Sequence, residues 1–359
     1  MKGASSGALR IISWNVTLRC PLKCAHCYVN AGEREAEGVL STEEAFAVID
    51  QICRTGKPVV VLSGGEPLLR GDLFAIARYG TDKGLRMVMG TSGFLIDRAM
   101  AVKLRESGIR AVAISLDSAD PAVHDVFRGM NGVWVRAVQA IRNCHDEGIG
   151  VQINMSVMCS DLRDVEAVIH KGSALGVRDY QLFFPIPTGR AREFESRSPQ
   201  EYEEMIRQIL IRYRDRDVNI RPTCAPQFRR IADEAGITNP AWGRGCIAGI
   251  SYCRIYANGD VTPCPYLPAS AGNVRTQSFA DIWNDSALFH ALRDPENLTG
   301  KCGVCRYKTS CGGCRARAYR GRDAFSTGWC DGLTRPQNRE GEICGEDPWC
   351  PYIPGDGTA

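Results

Sequence analysis

No apolar run in the 359-residue sequence approaches the roughly 18 residues of a membrane-spanning helix, so a helical membrane protein is not expected. Charge of one sign is also scarce: 44 Lys and Arg stand against 41 Asp and Glu, a formal net of +3. That balance, with no basic tract, gives no electrostatic footprint for nucleic acid. The stretch from Met1 to Arg10 is small and polar and lacks the apolar segment of a secretory signal, so a cytoplasmic protein is expected. Internal repeats and low-complexity tracts are missing, which sets aside repeat architectures. What remains is ordinary globular composition, 44% hydrophobic and 24% charged, in a chain long enough for one large α/β domain and a smaller appendage.

Cysteine is plentiful, at 17 residues. A reducing compartment does not sustain a disulfide framework, so clustered cysteines there point to metal or redox chemistry. Twelve fall into two groups: Cys20, Cys24 and Cys27, then nine between Cys246 and Cys350. Cys53, Cys144, Cys159, Cys224 and Cys253 stand apart, and the first four read most simply as small buried hydrophobes or isolated thiols.

The first half alternates β-branched runs with amphipathic helices. Strands are expected at Ile11–Thr17, Val59–Leu62, Arg86–Gly90, Ala111–Leu116, Val151–Val157 and Tyr180–Phe184, with helices between them. Ser41 with Glu44 reads as a capping box, and Gly84, Gly108, Gly148 and Gly176 as helix-ending glycines. Six such alternations imply a parallel sheet with right-handed crossovers. The expected fold is therefore α/β: a partial (β/α)6 TIM-like barrel over residues 1–220. A small Cys-rich, metal-stapled C-terminal domain is expected over 221–359, because that region has too little continuous apolar sequence to fold unaided.

Cys20-Pro-Leu-Lys-Cys24-Ala-His-Cys27 follows the first strand directly, at the sheet edge where barrel active sites form. Three thiolates hold three irons of a [4Fe–4S] cluster and leave one iron open. The alternative, a zinc site with His26 as fourth ligand, has the wrong knuckle spacing. One βα unit later, Ser63-Gly64-Gly65-Glu66-Pro67 closes a strand with two glycines that permit close backbone approach. The CxxxCxxC spacing followed by Tyr28, together with this GGEP turn, resembles the radical SAM superfamily. The resemblance implies a [4Fe–4S] cluster on Cys20, Cys24 and Cys27 whose open iron binds S-adenosylmethionine (SAM) and cleaves it reductively to a 5′-deoxyadenosyl radical. It implies SAM contacts from Tyr28, Gly64, Gly65, Glu66, Pro67, Ser92, Ser115, Asp117 and Asn154, and an external electron donor such as flavodoxin or ferredoxin. No residue is singled out as catalytic.

Cys246, Gly259 and Cys264, then Cys302-x2-Cys305-x5-Cys311-x2-Cys314 and Cys350, resemble the SPASM extension, which holds one or two auxiliary [4Fe–4S] clusters. A zinc ribbon is the structural alternative. Cys311-Gly-Gly-Cys314 departs from that family's usual CxxxC, which leaves the distribution of ligands open. Asn258-Gly259-Asp260 signals a hairpin that brings Cys246 or Cys253 near Cys264. Cys330 and Cys344 are extra ligands or free thiols.

Trp14-Asn15-Val16-Thr17, Cys311–Tyr319 and Glu346–Tyr352 resemble the haem and haem d1 branch of SPASM enzymes. The substrate implied is a tetrapyrrole small molecule losing side-chain carboxylates; peptide modification is the alternative. Arg190, Arg192, Arg315, Arg317, Arg320 and Arg322 are then candidate carboxylate partners, and Phe183, Phe184 and Pro185 candidate walls for a flat macrocycle.

Overall fold

The computed structural model describes residues 8–158, 160–193, 197–239, 242–320 and 342–355. Its strands are β1 (Ile11–Thr17), β2 (Val59–Gly64), β3 (Arg86–Thr91), β4 (Ala111–Ser115), β5 (Gly150–Ser156), β6 (Asp179–Phe183), β7 (Asn219–Thr223), β8 (Tyr252–Ile255), β9 (Asp260–Thr262) and β10 (Gly272–Asn273). The helices are α1 (Thr42–Thr55), α2 (Leu73–Asp82), α3 (Arg98–Glu106), α4 (Pro121–Arg128), α5 (Val133–Asp146), α6 (Leu162–Ala174), α7 (Pro199–Tyr213), α8 (Phe228–Glu234), α9 (Phe279–Asp285), α10 (Ala287–Arg293), α11 (Gly300–Val304) and α12 (Arg315–Arg320).

One sheet contains all ten strands, in the order β10-β9-β8-β1-β2-β3-β4-β5-β6-β7. The expected βα alternation holds and continues into a seventh parallel strand, β7, which a boundary at 220/221 would cut. On the far side β8 lies parallel to β1, pairing Ile11 with Tyr252 through Trp14 with Ile255. The C-terminal region therefore extends the barrel sheet through β8, then turns back in the antiparallel β8–β9 hairpin that Asn258-Gly259-Asp260 signalled.

Local chemistry explains the elements. Ser41 accepts from the Glu44 amide and the Glu44 carboxylate accepts from the Ser41 amide, satisfying two otherwise unpaired donors as α1 begins. Strand alternation then sorts the faces. Ile12, Trp14 and Val16 of β1 are fully buried in the main apolar core under the helices, each contributing on the order of 2 kcal/mol. Ser13, Asn15 and Thr17 take the opposite, inner face. Register carries that inner face across the sheet: Asn15 beside Ser63, Ser115 beside Asn154, Asn154 beside Gln181, Ser156 beside Phe183.

Candidate active site

Cys20, Cys24 and Cys27 all lie in the loop leaving β1. The Cys20 amide donates to the Gly32 carbonyl at 2.7 Å, and the Cys27 amide to the Cys24 carbonyl at 3.3 Å. Arg190 braces this loop from outside: its Nε donates to the Cys24 carbonyl at 2.7 Å and its Nη1 to that of Ala31 at 3.0 Å. Leu22, Val133, Phe94 and Met130 pack around the thiols. Burial pushes the Cys20 thiol up to about 12, and nearby Glu66, Cys24 and Cys27 add to the rise, so four acidic groups share one neighbourhood. Burial also raises Cys24, against which Arg128 acts, its Nη1 lying 3.8 Å from the Cys24 sulfur. The Ala31 amide donates to the Cys27 sulfur at 3.3 Å. Desolvated thiols with amide and guanidinium donors fit an iron–sulfur cluster, whose sulfurs are tuned by such contacts.

His26 does not complete a zinc site. Its ring lies flat on Phe127, 4.3 Å between centroids and 7° apart, and burial holds it neutral, down to about 3. Among the described residues, no three His, Cys, Asp or Glu side chains converge as a single ion requires.

The GGEP turn packs on this loop. A Cβ on Gly64 would stand 2.2 Å from the Thr17 carbonyl oxygen, and one on Gly65 2.3 Å from that of Arg19. The glycines thus bring β2 against the loop's own backbone, rather than leaving space for a ligand alone as the sequence suggested. Glu66 is fully buried and takes only neutral donors: Thr91 Oγ1 at 2.8 Å, Ser92 Oγ at 2.6 Å, and the Ser92 and Leu68 amides at 3.1 and 3.4 Å. Burial outweighs these bonds and raises its carboxyl, and among the described residues no cation pairs with it, so the cationic end of a ligand would stabilise its charged form. Pro67, also buried, opens the short 3-10 turn that follows.

Asp117 is engaged on both oxygens. Arg128 Nε donates to Oδ2 at 2.6 Å and the Ser156 amide to Oδ1 at 2.9 Å, while the Asp117 amide donates to His124 Nδ1 at 3.1 Å. Asp117, His124 and Arg128 thus connect the end of β4 to Cys24. Ser115 and Asn154 remain on the inner face, where Gln152 Nε2 donates to Asn154 Oδ1 at 2.7 Å.

Sequence reading overlooked Arg254 of β8. It is 2% exposed and shares the inner face with Ser13. Its guanidinium lies 4.7 Å from the Tyr28 ring centroid and 5.2 Å from that of Tyr256, and donates to Asn15 Oδ1 and the Tyr28 hydroxyl. Among the described residues no carboxylate pairs with it, and its Nε has no partner. Tyr28 also meets Tyr266 edge-on at 5.4 Å.

The C-terminal thiols separate into two sets. Cys302, Cys305, Cys311 and Cys350 line one cavity, flanked by Arg230, Lys301 and Asp347. Cys314 turns the other way, toward Cys246 and Cys264. The divergence across Cys311-Gly-Gly-Cys314 comes from two consecutive left-handed residues, Gly312 at φ 74° and Gly313 at φ 59°. Any Cβ on Gly313 would stand 2.8 Å from the Cys302 sulfur. Cys253, on the other face of β8, is fully buried in the apolar core; Cys246, and not Cys253, is the thiol that accompanies Cys264.

Residues 14–171 match the Radical SAM superfamily and residues 246–315 match SPASM, an iron-sulfur cluster-binding domain. Over 363 residues the chain is 38% identical to an AdoMet-dependent heme synthase from Methanosarcina barkeri, covering 98% of this chain and 99% of that protein. This is a radical SAM enzyme of the heme-synthase family. It is 32% identical to the same organism's Fe-coproporphyrin III synthase over 84% of this chain and 82% of that one. In fold it resembles Streptococcus suis SuiB bound to S-adenosylmethionine, with TM-score 0.74 at 16% identity over 96% of this chain and 78% of that one.

Several sequence expectations of this radical SAM enzyme need correction. Arg315 and Arg317 are buried and spoken for, the first by the Ile343 and Gly345 carbonyls, the second by Asp347 and the Cys224 carbonyl. Neither is free for a substrate carboxylate, and Arg190 serves the cluster loop. The side chains of Arg192 and Arg320, and all of Arg322, lie outside the described residues. Phe184 and Pro185 are buried, Phe184 edge-on against Tyr202 in the core, which leaves Phe183 on the inner face. That face is more polar than a macrocycle wall was expected to be. Cys344 lies 3.9 Å from the Ala291 carbonyl, apart from both thiol sets, and Cys159 and Cys330 are outside the described residues.

Proposed function

We propose that this enzyme removes side-chain carboxylates from a tetrapyrrole in haem formation. Cys20, Cys24 and Cys27 hold the cluster that binds SAM, with Gly64, Gly65, Glu66, Pro67, Ser92, Tyr28, Ser115, Asp117 and Asn154 around the SAM. Bound together, cluster and SAM supply a radical able to abstract a hydrogen atom. Loss of a hydrogen atom from the ring-attached carbon of a propionate, then of carbon dioxide, leaves a vinyl group and one electron. The C-terminal thiols would hold auxiliary clusters that could accept that electron, and an external reductant such as flavodoxin or ferredoxin would supply the electron for SAM cleavage. We place the functional division after β7, at Thr223, and the enzyme in the cytoplasm.

The observation that carries this reading is the near end-to-end likeness to a heme synthase, at 38% identity. Arg254 supports it independently: a buried guanidinium with no carboxylate partner among the described residues, facing the inner side, suits a substrate carboxylate. A second reading, side-chain loss from an earlier tetrapyrrole, is favoured by the likeness to Fe-coproporphyrin III synthase. Anaerobic incubation with SAM, dithionite and either Fe-coproporphyrin III or an acetate-bearing precursor separates them by mass. Propionate decarboxylation is expected; turnover of neither, alongside modification of a peptide, overturns the proposal.

A further inference from the structure

Among the described residues, the set of Cys246, Cys264 and Cys314 has three thiols, whereas the neighbouring set has four. We infer that Cys224, outside the SPASM match, is the fourth thiolate of this auxiliary site. The inference rests on the proposed reading of the C-terminal thiols as iron–sulfur ligands.

Geometry brackets Cys224 from two sides. It immediately follows β7 in the left-handed region, at φ 61°, where a non-glycine residue is uncommon. Arg317, three residues after Cys314, donates from Nη1 to the Cys224 carbonyl at 2.7 Å and fixes it beside α12. On the other side, Pro226 closes on the residue preceding Cys246. A Cβ on Gly245 would stand 2.6 Å from the Pro226 carbonyl oxygen and 2.9 Å from that of Cys311. The Gly245 and Cys246 amides donate to the carbonyls of Ser310 and Cys311 at 2.8 and 3.0 Å, tying that segment to the thiol-bearing turn. Cys224 therefore sits where the segments carrying Cys246 and Cys314 meet.

The thiols sense one another. Cys314, Cys264 and Cys246 all lie within electrostatic reach of Cys224. Neutral thiols packed this way gain nothing from their proximity, whereas four thiolates are what a four-iron cluster without an exchangeable ligand needs. Arg317, held there by its bond to the Cys224 carbonyl, places a positive charge beside them that suits a thiolate-bound cluster. Cys253, the alternative on β8 among the described residues, belongs to the core across that strand and is excluded by its side of it.

The test uses the chain carrying Cys20→Ala, Cys24→Ala and Cys27→Ala, in which only auxiliary clusters remain, reconstituted anaerobically. Iron content, Mössbauer and reduced-state EPR spectra are compared for added Cys224→Ala, Cys224→Ser and Cys253→Ala. Cys224→Ala is expected to lose one auxiliary four-iron signal, or leave it with an altered, open-site spectrum. Cys224→Ser should shift its EPR signal, and Cys253→Ala should leave both signals unchanged. Unaltered spectra in both Cys224 variants overturn the inference. Cys302→Ala serves as the reference: if it too changes nothing, the underlying iron–sulfur reading has failed rather than this assignment. Where the Cys224 variants do not accumulate folded, wild-type holoprotein is treated with iodoacetamide before and after iron chelation. Labelling of Cys224 only after chelation supports ligation, and equal labelling overturns it.

Discussion

Asp347 and Arg317 form a bidentate ion pair, 2.9 Å on each arm, with neither side chain more than 1% exposed. The pair stands between the two thiol sets. The Asp347 amide donates to the Cys302 sulfur at 3.4 Å, its Oδ2 accepts from the Cys314 amide at 2.7 Å, and Arg317 reaches the Cys224 carbonyl. Removing one partner of such a pair strands a buried charge and costs about 3–5 kcal/mol. Asp347→Ala is therefore expected to lower the denaturation midpoint and to reduce iron in both C-terminal sets together. Loss of iron from only one set would show that the pair does not couple them.

Replacing Cys20, Cys24 and Cys27 together by Ala should abolish formation of 5′-deoxyadenosine from SAM. Iron bound by the C-terminal thiols should survive, because the two loops share no ligand. Chromatographic assay of SAM cleavage with parallel EPR checks this, and continued cleavage would refute the assignment of the active cluster.

His124 makes stability depend on pH. Its Nδ1 accepts the Asp117 amide, which requires the neutral ring, and burial, acting with Arg128 against the pull of Asp117, lowers its pKa to about 4. The unfolded chain binds this proton near pH 6.5, so stability is full above that and falls as pH drops toward 4, by on the order of 3 kcal/mol. Asp117 responds later. Burial opposes ionisation there but Arg128 prevails and holds the carboxyl low, so its contribution is lost only below about pH 3.9. His124→Gln keeps an acceptor without titrating. Equilibrium unfolding between pH 7 and 4 should be flatter in that variant, and an identical slope would contradict the argument.

Arg254→Gln should weaken binding of a tetrapyrrole carboxylate by about 10-fold or more, the loss of one charge-assisted contact. Arg254→Lys should recover part of it. Optical titration with an iron porphyrin and its propionate ester gives the control: the ester should bind wild type and variant alike. Equal affinity of the free acid for both proteins would remove Arg254 from the substrate site.

Much of the barrel was legible because each βα unit carries its own signals. Asp97, Asp120, Asp161 and Ser198 each cap a helix, and the first strand ends at Thr17 as expected. α4 was readable but overlooked, with Asp120 as cap, Pro121 behind it and left-handed Gly129 closing eight residues. β7 was hidden by Pro222, which argues against a central strand; it is tolerated because β7 is the sheet's edge. Helical periodicity runs through Phe279–Arg293 in the sequence, yet the chain breaks at Ser286, whose ψ of 123° ends one helix and starts another. Arg254 and Cys224 owe their surroundings to segments far away in sequence, and no spacing rule reports that.

The pairing of β8 with β1 has a consequence for how the chain is made. β1 emerges from the ribosome first, yet one of its two edges is covered only after residue 255 has been synthesised. Until then that edge offers unpaired amides and carbonyls to any extended segment, its own or another nascent chain's. Contacts so distant along the chain form slowly. The loop that carries Cys20, Cys24 and Cys27 hangs from this same strand. A fragment ending before β8 is accordingly expected to aggregate more readily than the full chain, with or without iron.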